Sequence, residues 1–543
     1  MLGTLTQEAE SVFDYVIVGG GSAGCVLASR LSEDSDVSVC LLEAGPPDRH
    51  PLIHMPMGII WMMRSKVLNW NFYTQGEPEM GGRRMFWPRG RTLGGSSSSN
   101  AMCYLRGHPD DYDQWAALGN PGWSFADVLP YFKRSQNQER GASAYHGTGG
   151  PLNVADLRSP SPLTQVFIEA GVQAGLPYNT DFNGPNPEGV GPFQVTQKDG
   201  RRCSTARGYL APARARANLT VITGAHATQV LFESKRAVGV EYQHQGRLQQ
   251  VRANLEVILS AGAIQSPRLL MLSGVGDAWQ LERIGIEPRH HLPGVGKNLQ
   301  DHLDVMLVQA CTRPVSYGIT WRSVLRGGVD LLRYLVAGRG MFTTNGAEGC
   351  GVTRSSPDEA LPDLQFHFSP GKLRDHARDL MFLCGEGYSL HVCNLRPKSR
   401  GEIRLLSADP FAGPDIRAGY LSDPEDIEHM LRGVRLARRI LAARAFDAYR
   451  GVEIVPGREV QSDEDLRHFI RNKAETIYHP VGTCKMGCDP LAVVDAGLRV
   501  HGLSGLRVVD ASIMPLLVGG NTNAPTVMIA EKAVDMIRSA RRG

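Results

Sequence analysis

The hydrophobic pattern sharpens abruptly at residue 13. Phe13-Asp14-Tyr15-Val16-Ile17-Val18 is a β-branched and aromatic run, the composition of a buried strand. A glycine cluster follows at once, and Cys25-Val26-Leu27-Ala28-Ser29-Arg30-Leu31 then reads as a helix. A second apolar run over 37–42 predicts another strand, ending at Glu43. Far along the chain, Leu506-Arg507-Val508-Val509 predicts a strand that ends at Asp510, and Pro525 precedes the apolar-periodic stretch 527–534, the mark of a helix beginning.

Two further stretches are unusually apolar. Residues 55–63, Met-Pro-Met-Gly-Ile-Ile-Trp-Met-Met, are rich in adaptable side chains. Packing alone explains such a run, and so does a cover over a binding site. Over 321–336, Trp321, Val324, Leu325, Val329, Leu331, Leu332, Leu335 and Val336 fall within an arc of roughly 160° when wound as a helix. Arg322, Arg326 and Arg333 cluster beside that arc. A helix of this kind either packs its apolar face on its own core or lies on an anionic bilayer.

The glycine cluster gives the first chemical clue. Gly19-Gly20-Gly21-Ser22-Ala23-Gly24 fits G-x-G-x-x-G between a strand and a helix. Gly19 permits the tight turn, Gly21 a close approach to pyrophosphate, and Gly24 the packing of helix on strand, while the helix's first amides face the phosphates. Glu43 stands 19 residues beyond Gly24, where a carboxylate binds the hydroxyls of an adenosine ribose. A glycine turn followed by an unrelated surface acid is the bland alternative. An acid rather than an arginine argues against a 2′-phosphorylated cofactor. The motif does not separate FAD from NAD.

Composition narrows the class without naming it. The 543 residues suffice for two domains, 42% are hydrophobic and 21% charged, and a net charge of +3 with no basic run gives no reason to expect nucleic acid. Ten scattered cysteines show no disulfide framework. Cys484 and Cys488 lack a second Cys/His pair at zinc spacing, so no metal is expected. Residues 1–10 show no basic and apolar leader, and no apolar run is long enough to cross a bilayer. The expectation is a cytoplasmic protein, peripheral on the inner membrane if it meets a membrane.

Five blocks in order then carry a family resemblance. Residues 89–100, Arg-Gly-Arg-Thr-Leu-Gly-Gly-Ser-Ser-Ser-Ser-Asn, resemble the first signature of the glucose-methanol-choline (GMC) oxidoreductases, and 262–276 resemble the second. Tyr478-His479-Pro480-Val481-Gly482-Thr483-Cys484-Lys485-Met486-Gly487 is similar to the family's active-site segment, and 508–512 with Gly520-Asn521-Thr522-Asn523-Ala524-Pro525-Thr526 completes the pattern. Within the family the chain most resembles bacterial alkanol dehydrogenases, then choline dehydrogenases.

The resemblance implies a mixed fold, α/β plus α+β. A discontinuous Rossmann-like FAD-binding domain would span 1–155, 200–312 and 472–543, and a substrate domain on an antiparallel sheet 156–199 and 313–471. It places FAD contacts on Gly19, Gly21, Ser22, Ala23, Gly24, Glu43, Ala44, Trp70, Arg91, Gly95, Ser96, Asn100, Ala101, Met102, Val230, Ala261, Gly262, Tyr478, Asp510, Ala511, Asn521 and Thr522. Val230 would meet the adenine through its backbone. Ser99 stands where some choline-oxidising relatives carry a flavin-linked histidine, so FAD is expected without a covalent bond.

Oxidation of an alcohol needs a base for the hydroxyl proton and an acceptor for the carbon-bound hydride. Imidazole suits the first task near neutral pH, and His479 matches the family's base. Asn523 is read as its partner, hydrogen-bonding the substrate oxygen, although a helix cap explains it equally. A helix starting there would also turn its positive end toward the flavin. Asp304 and Glu348 are the substrate candidates. Asp304 matches a position that meets the trimethylammonium group in choline-oxidising relatives, yet it could be a boundary acid. The reading is an FAD-dependent dehydrogenase of primary alcohols passing electrons to a quinone-type acceptor. Choline dehydrogenase is the alternative, with a cyanohydrin lyase or a non-catalytic flavin protein as rivals of another class.

Overall fold

A computed structural model describes residues 11–542. The leader reading for residues 1–10 falls outside the described residues, as do the side chains of Val324 and Arg326.

Two seven-stranded sheets organise the chain. In the first, Leu219–Thr223, Val39–Glu43, Ser11–Val18 and Arg247–Leu259 run parallel in that order, and Leu506–Val508 adds a parallel strand to Arg247–Leu259. The hairpin strands Arg236–His244 and Ala225–Glu233 extend the sheet antiparallel. The strands Ser11–Val18 and Val39–Glu43 are buried along their adjoining ends, which is why they read as unbroken apolar runs rather than alternating ones. The helix Ser22–Leu31 packs so closely that a Cβ on Gly24 would lie 1.9 Å from the Gly19 carbonyl oxygen. That contact is the reason for the last glycine of the motif. The C-terminal helix Asn523–Arg542 packs beside it, tied by Arg30 to the buried carboxylate of Glu531 at 2.9 Å.

The second sheet is antiparallel throughout, ordered Arg450–Val455, Leu303–Cys311, Gly387–Asn394, Leu364–Ser369, Gly349–Thr353 and Gly189–Pro192. Glu475–Thr476 also pairs with Leu303–Cys311. The strand Leu303–Cys311 therefore belongs to this sheet. Strand alternation divides its side chains. Leu303, Val305 and Leu307 enter the hydrophobic core, whereas Asp304 and Met306 face a cavity between the sheets. Register sets Met306 and His367 opposite His391 from either side. The helix Pro424–Ala442 covers the outer face with Ile427, Met430, Leu431, Val434 and Ile440 buried.

The 321–336 stretch is the helix Trp321–Ala337, opened by a Thr320–Ser323 capping box and closed by Gly338 in the left-handed region. Its apolar arc does not pack on the core: Trp321, Leu325, Leu332 and Val336 are 70%, 70%, 62% and 79% exposed. Among the described residues no helix is long and apolar enough to cross a membrane.

Candidate active site

A cavity of about 720 Å³ runs from the glycine turn to the second sheet. At one end it is lined by Gly19, Gly21, Ser22, Ala23, Glu43 and Ala44. No side chain caps the helix Ser22–Leu31, whose preceding residue is Gly21. Its first amides are thus left for an anion. The Glu43 carboxylate accepts N–H bonds from Gly20 at 2.9 Å and Gly45 at 2.7 Å, and burial raises its pKa to about 7. Beside it, a Cβ on Gly95 would come within 2.8 Å of the Gly21 Cα; glycine at both positions keeps this wall open.

Trp70, Gly95, Ser96, Ser99, Asn100, Ala101 and Met102 continue the wall, with Ala261, Gly262, Tyr478, Asp510, Ala511, Asn521, Thr522 and Asn523 opposite. Asp510 is buried and locked in place. It accepts from the Gly262 N–H at 2.8 Å, the Ser266 hydroxyl at 2.5 Å and the Ser512 N–H at 2.8 Å, and burial raises its pKa.

Four expected contacts lie elsewhere. Gly24 is spent on helix packing. Arg91 stacks 4.9 Å over the Trp70 ring instead of lining the cavity. Val230 is buried with its N–H donated to the Ser273 hydroxyl at 2.8 Å; the cavity borders Ala225, His226 and Ala227, earlier on that strand. Glu348 is 1% exposed and fully engaged, accepting from Ser161 N–H, Thr164, Tyr317 and Thr344 at 2.6–2.7 Å. It braces the substrate side without facing the cavity.

The largest correction concerns the partner of His479. The Asn521 amide nitrogen lies 3.1 Å from His479 Nε2, and its carbonyl oxygen accepts from Gln365 Nε2 at 3.2 Å. Asn523, two residues on, instead accepts from the Ser22 hydroxyl at 2.9 Å, stapling the C-terminal helix to the glycine turn. Spacing cannot distinguish the two asparagines, because the chain turns into a helix between them and sends their side chains apart.

His479 is fixed from behind by a histidine the sequence reading missed. His302 Nδ1 and His479 Nδ1 are 2.9 Å apart with the rings perpendicular, and His302 Nε2 is 3.1 Å from the Leu395 carbonyl oxygen. A carbonyl only accepts, so His302 Nε2 carries its proton. Burial lowers the His302 pKa to about 3, leaving its Nδ1 a lone-pair acceptor. His479 Nδ1 must then donate. Burial, reinforced by His302, His367 and Arg89, holds the His479 pKa well below the ordinary value. Its Nε2 therefore presents a lone pair toward Asn521 and the cavity. Asp301 completes the support by accepting the His479 backbone N–H at 2.7 Å and the Thr476 hydroxyl at 2.5 Å. Adjacent Gln300-Asp301-His302 is quotable from sequence, but its pairing with a residue 177 positions away is not.

On the facing sheet, Asp304 Oδ2 is 2.6 Å from His391 Nδ1. Burial would lower the His391 pKa, but the Asp304 carboxylate outweighs it and raises it.

Family models described as GMC oxidoreductase match residues 13–304 and 397–530. The chain belongs to the GMC oxidoreductase family. It is 52% identical to an alcohol dehydrogenase [acceptor] of Pseudomonas putida, over 97% of this chain and 96% of that protein. It is 48% identical to an oxygen-dependent choline dehydrogenase of Chromohalobacter salexigens, over 98% and 96%. Among solved structures, pyridoxine 4-oxidase from Mesorbium loti superposes with a TM-score of 0.87 at 33% identity, covering 98% of this chain and 99% of that one. A formate oxidase of Aspergillus oryzae gives 0.91 at 26%, covering 98% and 100%. This GMC oxidoreductase is an FAD-dependent enzyme. The uncapped helix start, the Gly21–Gly95 approach and the buried Glu43 all fit that cofactor's pyrophosphate and ribose.

Proposed function

We propose that the enzyme oxidises primary aliphatic alcohols to aldehydes and delivers the electrons to a quinone-type acceptor. Residues 1–155, 200–302 and most of 472–543 hold FAD on this reading, and the second sheet holds the alcohol. Bound FAD supplies the hydride acceptor. His479 Nε2 takes the hydroxyl proton, and the Asn521 amide donates to the substrate oxygen as it becomes alkoxide-like. The reading is carried by His479 Nε2 and the Asn521 amide nitrogen, which lie 3.1 Å apart on the lining of the cavity. Gly19, Gly21, Ser22, Ala23, Glu43, Gly95, Ser96, Asn100 and Asp510 are assigned to FAD. Ser99 offers no ring nitrogen for attachment, which supports a non-covalent cofactor.

An apolar alcohol is favoured over choline by the pairing of Asp304. A free carboxylate would offset a quaternary cation, whereas one Asp304 oxygen is taken up by His391 Nδ1 at 2.6 Å. Met57, Ile59, Ile60, Met306, Phe342 and Leu383 line the substrate side, an apolar setting for an alkyl chain. Resemblance to choline dehydrogenases keeps choline as the alternative. Contact with a membrane at the periphery, where a lipid quinone resides, suits the exposed Trp321–Ala337 face. The test is an alcohol panel from ethanol to decanol plus choline, with a soluble quinone and with oxygen as acceptors. Rapid turnover of alkanols with the quinone is expected, and higher kcat/KM on choline would overturn the substrate assignment. A flavin unreduced by any alcohol, with cyanohydrin cleavage instead, would favour a lyase.

A further inference from the structure

The helix Trp321–Ala337 is turned the unusual way round. Its small and polar flank packs inward: Ser323 and Gly327 line the cavity, and Tyr334 is 8% exposed. Its apolar arc faces solvent, with Trp321, Leu325, Val329, Leu332, Leu335 and Val336 each more than half exposed. A globular protein that needed this helix only for its core would bury that arc. The same surface continues around the cavity mouth. Trp61, Ile319 and Leu380 both line the cavity and are 48%, 45% and 45% exposed, and Met381 beside them is 80% exposed. Arg322, Arg333 and Arg339 are exposed at the helix flank and end. Asp330 is the one acid in the helix and lies within 3.7 Å of Arg333.

We propose that this face docks the enzyme on an anionic lipid leaflet, with the helix lying in the interface plane and the cavity mouth opening toward the acyl chains. The apolar arc supplies insertion, and the arginines supply attraction to the headgroups. A second copy of the chain is the poorer occupant. A two-fold pairing through this helix would bring arginine flanks of like charge together and seal the mouth against substrate. The docking rests on the alcohol-and-quinone reading only for what passes through the mouth; attachment itself needs no turnover.

The test is co-sedimentation of the holoenzyme with phosphatidylcholine vesicles, with and without phosphatidylglycerol. The wild type is expected to pellet with the anionic vesicles and to bind the neutral ones about tenfold less. Leu325→Glu/Leu332→Glu should bind anionic vesicles at least about tenfold more weakly, with unchanged activity on a short alcohol and a soluble quinone. Quenching by brominated lipid should fall in Trp321→Phe relative to wild type. A wild type left in the supernatant, or a double variant that pellets equally, overturns docking. So does a wild-type dimer in solution that the double variant dissociates, since that assigns the face to a second copy. An enzyme that oxidises alkanols but ignores vesicles sinks docking alone, whereas vesicle binding without alcohol oxidation sinks the functional reading alone.

Discussion

Replacing Asn521 and Asn523 separately by alanine distinguishes two residues that the sequence cannot rank. The Asn521 amide is 3.1 Å from His479 Nε2 and is held by Gln365. A substrate oxygen giving its proton to Nε2 lies within reach of this donor. Removing one preorganised donor to a developing oxyanion costs about 2.7–4 kcal/mol, or roughly 10²–10³ in kcat. Asn523 accepts one neutral bond, from Ser22 at 2.9 Å, worth about 0.5–1.5 kcal/mol, and it acts on the glycine turn. Asn523→Ala should therefore release FAD more readily while the loaded enzyme keeps kcat within about threefold, a loss under 0.7 kcal/mol. The assay is anaerobic stopped-flow reduction of the bound flavin by an alkanol, with FAD content measured on the same samples. Equal losses of reduction rate in the two variants, or a near wild-type rate in Asn521→Ala, would refute the assignment.

Three other outcomes follow from the same contacts. His302→Leu leaves the His479 Nδ1–H buried without an acceptor, a penalty of about 1–3 kcal/mol that favours moving the proton to Nε2. Alkanol kcat/KM should fall about tenfold or more, with an altered pH profile and partial rescue by His302→Asn; an unchanged profile would count against His302 as the support of His479. Asp304→Asn should change the choline-to-alkanol kcat/KM ratio by less than about tenfold, because His391 already engages the carboxylate at 2.6 Å. A free carboxylate contributing about 4 kcal/mol to a cation at 4 Å would instead lose roughly 10³ on choline alone. Stability should fall with acid in two stages. His302, His367 and His479 have folded pKa values below the ordinary 6.5, about 3 for the first two, so the unfolded chain takes up three more protons as pH falls. Asp301 and Glu43, raised to about 6 and 7, hold two more in the folded state until the unfolded carboxyls protonate. Acid therefore lowers stability gently between roughly pH 6 and 4.5 and more steeply below about 4. Urea midpoints of the holoenzyme across pH check this, and a midpoint rising toward pH 4 would contradict it.

Much of the fold was legible because its signals are local. The strand, glycine turn and helix around Gly19–Gly24 and the acid at Glu43 depend on spacing within a few tens of residues, and the structure places them on one cavity wall. His479 was legible through its motif. Its supports were not: His302 lies just before the strand Leu303–Cys311 and Gln365 on Leu364–Ser369, and only tertiary packing brings them together. Strand alternation equally decides that Asp304 and His391 face the cavity while Leu303 and Val305 do not. Val230 and Glu348 lie off the cavity lining for the converse reason, since the Val230 N–H and the Glu348 carboxylate are engaged elsewhere. The amphipathic helix was read correctly as an arc. Which side of it faces inward depended on Ser323 and Gly327 fitting against the cavity wall, information that periodicity does not hold.

The central claim is that His479 Nε2 and Asn521 act together on an alcohol bound beside FAD. The most direct measurement is the loss of flavin absorbance after anaerobic mixing with a medium-chain primary alkanol, in wild type and in His479→Ala. The account predicts prompt bleaching in the wild type and a rate lower by about 10²–10⁴ in the variant. A wild-type flavin that stays oxidised, or a variant that bleaches as fast, would contradict it.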